Sequence, residues 1–193
     1  MLTDFIISVA LVFLALFGLG VYFIFWSERH GAPWVPTPIG KARRMLRLAG
    51  VQRGEVVYDL GSGDGRLLVL AAREYGARAV GIEIDPLRVL ISRALIAVLR
   101  LGRLARVEWG DLFDAQIGEA DVVTLFLRQS TNQLLMVKLL LELRPGTRVV
   151  SHLFTFPGWE IIDQDREARL YLYKVGMRTP SQQRTGYKTE ADI

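Results

Sequence analysis

VVYDLGSGDGR, from Val56 to Arg66, carries the architecture of this chain in eleven residues. Val56 to Leu60 is a short apolar run, the pattern of a strand buried on both faces. It breaks into Gly61-x-Gly63-x-Gly65, and Arg66 to Tyr75 then reads as a helix with Gly76 at its stop. Downstream, Ala79 to Ile84 reads as a second strand. Asp85-Pro86 opens a helix, with Asp as N-cap and Pro at the first helical position, and Gly102 closes it. Ala105 to Trp109 and Asp121 to Leu127 are the next two strands. A helix capped by Ser130 or Thr131 runs to Leu143, and Pro145-Gly146 turns into a strand from Arg148 to Leu153. Trp159 to Ile162 and Arg169 to Val175 would finish the sheet as an antiparallel hairpin. Upstream, Gly40 to Leu48 is amphipathic, and a turn at Gln52-Arg53-Gly54 leads into Val56. This alternation implies an α/β fold: a mostly parallel, Rossmann-like sheet with helices on both faces.

The glycine turn lets backbone approach a ligand at the strand ends, where such folds bind nucleotides. Its spacing is not that of a dinucleotide site, and Asp59 and Asp64 would oppose a pyrophosphate at the helix N-terminus. The two carboxylates suit a cationic ligand that carries an amino group and a sulfonium. Glu83, at the end of the second strand, stands where a carboxylate holds ribose hydroxyls. Gly110-Asp111-Leu112 follows the third strand: Asp111 can accept from an exocyclic adenine amine while Leu112 donates its backbone N–H. Three strand ends thus offer a site for an adenosyl group bearing a methionine. Asp85 is read as a helix cap and not as a ligand.

Composition narrows the chemistry. The 193 residues include no cysteine and two histidines, His30 and His152, which argues against a zinc or iron centre, and no metal site is expected. The net charge of +4 comes from 24 basic and 20 acidic residues. The lysines are Lys41, Lys138, Lys174 and Lys188 alone, so arginine dominates. No interleaving of aromatic and basic residues points to nucleic acid, and no nucleic-acid partner is expected.

Phe5 to Trp26 carries no charge and is long enough, at about 1.5 Å per residue, to cross a hydrocarbon core of roughly 30 Å. No basic residue precedes it and no small-x-small site follows it, so it reads as a membrane anchor rather than a cleaved signal. Asp4 lies on one side, and Arg29, Lys41, Arg43, Arg44 and Arg47 on the other. That asymmetry predicts a single-pass protein whose C-terminal part faces the cytoplasm or an equivalent compartment. The expected organisation is an anchor over residues 1–30, a globular domain over 31–178 beginning with a Pro-rich linker (Gly31 to Pro38), and a frayed polar tail over 179–193.

PWVPTP (Pro33 to Pro38), VVYDLGSGDGR, VGIEID (Val80 to Asp85), WGDLF (Trp109 to Phe113), VVTLFL (Val122 to Leu127) and ELRPGTRVVSHLF (Glu142 to Phe154) together resemble class I, seven-strand methyltransferases dependent on S-adenosyl-L-methionine. More closely they resemble the protein-lysine methyltransferase family that includes an archaeal broad-specificity enzyme and the mitochondrial enzyme acting on the rotor-ring subunit of ATP synthase. The resemblance runs from Pro33 to Val175. It implies a loop at Pro36-Thr37 that closes over the cofactor, with Thr37 near its methionine end. It further implies a cofactor site of Asp59, Gly61, Ser62, Gly63, Asp64, Gly65 and Glu83, with adenine at Gly110, Asp111 and Leu112. Thr124 would border the transfer site. Trp34 departs from the Tyr or Phe expected there. An Asn-Pro-Pro-Tyr type motif, found where DNA bases or glutamine are methylated, is missing.

The resemblance also implies a protein lysine as the acceptor, and together with the tether it raises a membrane-embedded target. Lysine's reference pKa of about 10.4 means that neutralising its amine near pH 7 costs roughly 4–5 kcal/mol. Burial in an apolar channel and a nearby sulfonium lower that cost, so aromatic walls matter more than a strong base. Trp34, Phe126 and Phe154 are candidate walls, with core packing the expectation for Phe126. His152 and Asn132 are candidates for taking a proton and orienting the amine, although Asn132 can equally cap a helix. No catalytic base stands out. Two alternatives stay open: methylation of a lipophilic small molecule such as a quinone or lipid, and a non-catalytic cofactor-binding scaffold.

Overall fold

The computed structural model describes residues 2–29 and 35–176 and divides the chain into two compact units, Met1–Val35 and Pro36–Ile193. The Gly31 to Trp34 part of the expected linker, and the tail from 179, lie outside the described residues. The first unit is one helix, α1 (Leu2–Arg29). Its segment Thr3–Tyr22 is long and apolar enough to cross a membrane, by length and composition. Phe5, Phe13, Leu14 and Phe17 stand exposed along it.

The second unit runs α2 (Ile39–Leu48), β1 (Val56–Leu60), α3 (Arg66–Tyr75), β2 (Arg78–Glu83), α4 (Pro86–Val98), β3 (Ala105–Trp109), β4 (Val122–Leu125), α5 (Gln129–Glu142), β5 (Arg148–His152), β6 (Asp163–Asp165) and β7 (Leu170–Lys174). The strands form one seven-stranded sheet in the order β3-β2-β1-β4-β5-β7-β6. Pairing is parallel except at β7, which lies antiparallel to both β5 and β6. The order reverses beside β1, whose neighbours are β2 and β4, and a crevice opens at such a point.

Alternation along the strands feeds two cores. Val57, Ala79, Val122 and Val150 face α2, α3 and α4 through Met45, Leu46, Leu68, Ala71, Val89 and Ile96. Val56, Tyr58, Leu60, Val80, Val123 and Val149 face Leu135 and Leu139 of α5, with Ile117, Phe156 and Tyr173 completing that side. Each fully buried Leu or Val contributes roughly 1.5–3 kcal/mol.

Several boundaries differ from the sequence reading. α4 ends at Val98 with Leu99 as C-cap, before Gly102; Arg100, at φ 55°, turns the chain instead. α5 is not capped by Ser130 or Thr131. Its N-cap is Arg128, with no side-chain capping bond, because the chain enters from the end of β4 in extended conformation. β4 stops at Leu125, since its last register partner is Ser151 of β5. β5 stops at His152, because Leu153 adopts φ 75°. The penultimate strand is not Trp159 to Ile162 but Asp163–Asp165, a polar run that pairs with Leu170 to Leu172. Trp159 instead stacks on Phe156 with ring centroids 5.1 Å apart. The starts and ends of β1, α3 and β3 match the reading.

Candidate active site

The glycine turn follows β1 at the reversal point. Gly61, Gly63 and Gly65 have φ of 81°, 57° and 78°, conformations that disfavour a side chain. Gly65 also faces Ser92 of α4 so closely that a Cβ would collide with its Oγ. Below the turn, Gly81 leaves room for Ser62, whose Oγ would lie 2.5 Å from an added Cβ. Ser62 is buried, and its hydroxyl has no hydrogen-bond partner among the described residues.

Glu83 ties the strand ends together. It is 4% exposed; its Oε2 accepts from the Gly63 N–H at 2.7 Å and its Oε1 from the Asp85 N–H at 3.0 Å. Arg88 lies 3.8 Å away. Asp85 caps α4 as expected, accepting from Leu87 and Arg88 N–H groups. The Gly110 N–H donates to the Glu83 carbonyl, which fixes the third strand end beside the second. Asp111 is exposed, and its Oδ1 accepts from Phe113 N–H at 2.9 Å; Leu112 packs against the α5 side of the core.

Asp59 and Thr124 are register partners on β1 and β4. The Thr124 hydroxyl donates to Asp59 Oδ1 at 2.8 Å. Burial pushes the Asp59 carboxyl up to about 7, the Thr124 bond pulls it back, and the Glu83 and Asp64 charges push the same way as burial. For Asp64, burial acts upward too, but the Arg66 guanidinium outweighs it and holds this carboxyl below its usual value. Arg66 also donates from Nη1 to the Thr37 carbonyl at 2.9 Å, which fastens the Pro36-Thr37 segment to the glycine turn.

His152, at the end of β5, is 4% exposed and its ring lies against that of Phe126, tilted by 41° with centroids 4.0 Å apart. Lys41 Nζ lies 3.0 Å from its Nε2, so the ring accepts there and its proton sits on Nδ1, which is buried without a partner among the described residues. Burial, then the charges of Lys41 and Arg169, lower this imidazole to about 4, so it is neutral at pH 7. Phe126 belongs to neither core cluster; it is half-buried against His152, contrary to the core-packing expectation. Asn132 is fully buried and caps nothing. Its Nδ2 donates to Ser151 Oγ at 3.2 Å, while its Oδ1 lacks a partner among the described residues.

Residues 59–163 match the model of the ANTKMT methyltransferase domain, which begins at Asp59 and takes in every strand end described above. The chain belongs to that family. A protein-lysine N-methyltransferase of Saccharolobus islandicus is 43% identical over 75% of this chain and 94% of its own length. The mouse adenine nucleotide translocase lysine N-methyltransferase is 35% identical over 84% of this chain and 72% of its own. A mouse lysine N-methyltransferase named for an ATP synthase subunit is also 35% identical, but this chain spans about half of it: 66% of this chain, 51% of that one. Among solved structures, an RNA methyltransferase of Salinibacter ruber in complex with S-adenosyl-L-homocysteine is 46% identical. It covers 76% of this chain and 97% of its own, with a TM-score of 0.73.

This ANTKMT-family chain is therefore an S-adenosyl-L-methionine-dependent methyltransferase. Its residues fit that cofactor on their own chemistry. Asp59 is a buried carboxyl raised by burial, so a cation beside it is favourable. Gly61 and Gly63 present bare backbone at positive φ, and a Cβ on Gly110 would meet only open space. Sequence patterning did not point to Lys41, Arg66 or Ser151 as site residues. Lys41 and His152 are 111 positions apart, and nothing local marks them as a pair. Arg66 stood out only as the first residue of α3.

Proposed function

We propose that this protein is a membrane-anchored lysine methyltransferase, transferring the methyl of S-adenosyl-L-methionine to the ε-amine of a protein lysine. The reading rests chiefly on the 43% identity that extends over 94% of a protein-lysine N-methyltransferase. Two further relatives named for lysines on a translocase and on an ATP synthase subunit support a membrane-embedded acceptor. α1 is the anchor in this reading, the 31–178 region is the catalytic domain, the residues beyond 178 form a tail, and the catalytic domain faces the cytoplasm or its equivalent.

In this reading Asp59, Gly61, Ser62, Gly63, Asp64 and Gly65 hold the methionine end of the cofactor. Pro36 and Thr37 cover that end, Glu83 orders the ribose edge, and Gly110, Asp111 and Leu112 receive the adenine. Thr124 borders the transfer site and orients Asp59. When bound, S-adenosyl-L-methionine supplies an electrophilic methyl on a positive sulfur. The protein's task is to aim a neutral amine at that methyl, in line with the sulfur at roughly 3–3.5 Å.

Phe126, with Phe154, would exclude water from the approaching amine, which favours its neutral form; the third candidate wall, Trp34, lies outside the described residues. His152 does not act as the base in this account: its imidazole is lowered to about 4 and already accepts from Lys41. The buried Asn132 Oδ1 would accept a hydrogen bond from the amine. The proton leaves to solvent before attack.

The test uses the full chain in detergent or vesicles with methyl-labelled S-adenosyl-L-methionine and host membrane protein, soluble protein, lipid and RNA fractions. Wild type is compared with Glu83→Ala. Label on membrane protein, lost in the variant and lost again on target Lys→Arg, is the expected result. Label on extracted lipid or on RNA instead would overturn the protein acceptor, the second being what the name of the Salinibacter ruber neighbour suggests.

A further inference from the structure

α4 carries an apolar face that the described residues leave uncovered. Val89, Ser92 and Ile96 are buried against the sheet, whereas Leu90, Ile91, Ala94, Ala97 and Val98 are exposed. Leu90 is 64% exposed and Val98 is 78% exposed. These positions recur at three- and four-residue steps, so they form a stripe along one side of the helix.

The charge around the stripe has one sign. From Pro86 to Val107 there is no acidic residue, while Arg93, Arg100 and Arg103 are exposed. Among the described residues none of these three lies within salt-bridge distance of a carboxylate, unlike Arg88, which lies beside Glu83 and Asp85. An apolar stripe rimmed by arginines without carboxylate partners is the chemistry of a helix that lies in the headgroup layer of an anionic bilayer, where each cation contributes roughly 1 kcal/mol.

α5 offers the instructive contrast. Leu134, Val137 and Leu141 are equally exposed there, but Lys138 is paired with Glu142 and Arg144 with Asp121. Among the described residues Arg128, at its N-cap, is the one exposed arginine beside it that lies outside salt-bridge distance of a carboxylate, so α5 has the apolar stripe with less of the positive rim.

We infer that the exposed face of α4 is a membrane-docking surface, by which the catalytic domain itself lies on anionic lipid. α4 begins just after Asp85, two residues beyond Glu83, so its N-terminus is at the site end of the sheet. Docking along it brings the rim of the site to the headgroups, where a lysine at the end of a membrane protein's span would be presented. The surface stands on the residues of α4. The anchoring reading adds only proximity to lipid.

The chain has no cysteine, so Val98→Cys and, separately, Leu141→Cys can each carry one environment-sensitive fluorophore on the full chain. The labelled chain is mixed with phosphatidylcholine vesicles, with or without phosphatidylglycerol, that contain spin-labelled lipid. Quenching at Val98 is expected in the anionic vesicles only, about twofold or more above that at Leu141, and reverting when Arg100→Gln and Arg103→Gln are added. Equal quenching in neutral vesicles, greater quenching at Leu141, or no quenching at either position would overturn the inference. Flotation with neutral vesicles reports on α1 separately, so a failure of anchoring and a failure of docking give different results.

Discussion

Asp59 and His152 are buried titratable groups pushed in opposite senses. Asp59 is raised from 3.8 to about 7, so between those values the native state keeps a proton that the unfolded state has lost, and stability falls as pH rises. His152 is lowered from 6.5 to about 4, so in that window the unfolded state takes up a proton that the native state refuses, and stability falls as pH drops. Each slope is about 1.4 kcal/mol per pH unit, and the two nearly cancel where the windows overlap. Without cofactor, the Tm of the wild type is expected to stay nearly flat from about pH 4.5 to 6.5. Asp59→Asn should make Tm climb with pH, and His152→Asn should make it fall; parallel curves for all three proteins would refute the assignment. Cofactor affinity should follow ionisation of Asp59, weakening by about tenfold per unit below pH 7 in calorimetry, and Asp59→Asn should remove that dependence. Asp59 was legible as a site residue because it ends a strand before glycines. Its partner Thr124 was assigned only through a family resemblance, and the pairing is set by strand register.

At the scale of elements, two glycines separate backbone conformation from packing. Gly54 and Gly65 both have positive φ, but a Cβ on Gly54 would meet open space and one on Gly65 would strike Ser92 of α4. Gly54→Ala should cost about 1–2 kcal/mol in chemical denaturation, the conformational part alone. Gly65→Ala should cost clearly more and should also weaken cofactor binding, because relief requires α4 or the glycine turn to move. Equal costs would mean that the turn yields freely. Arg66→Gln removes the cation that fastens the Thr37 carbonyl to the turn. It should raise KM for S-adenosyl-L-methionine roughly tenfold with a smaller change in kcat. The helix and strand interiors were readable from apolar periodicity, whereas the start of α5 and the place of β6 were not. Ser130 and Thr131 are good caps by type, but the path of the chain out of β4 assigns that place to Arg128. Asp163–Asp165 has no strand signature and pairs because β7 offers it an edge.

For the whole molecule, α1 is expected to hold the chain in membranes against alkaline carbonate extraction. Leu11→Arg with Leu14→Arg, which place charge in mid-span at about 2.5–3.5 kcal/mol each, should release it to the soluble fraction. Retention of that double variant would leave the domain's own lipid contacts as the holding force. Cofactor binding by the variant should match wild type, because the strand ends that form the site belong to the second unit.

Local patterning in the sequence was enough for the features that each segment controls on its own. Alternating apolar runs and helical periods specify the order of strands and helices apart from β6, the three glycines specify a turn with positive φ, and the uncharged run from Phe5 to Trp26 specifies a segment able to cross a membrane. Pairings made across long separations required the folded chain. Lys41 meets His152, Thr124 meets Asp59, and Arg66 meets the Thr37 carbonyl. Among the described residues, folding also left the stripe on α4 bare while Met45 and Leu46 of α2 and Leu67, Leu68 and Leu70 of α3 are covered. Periodicity records which face of an element is apolar. What that face meets depends on strand order, register and the space left by neighbours, none of which is written in any one segment.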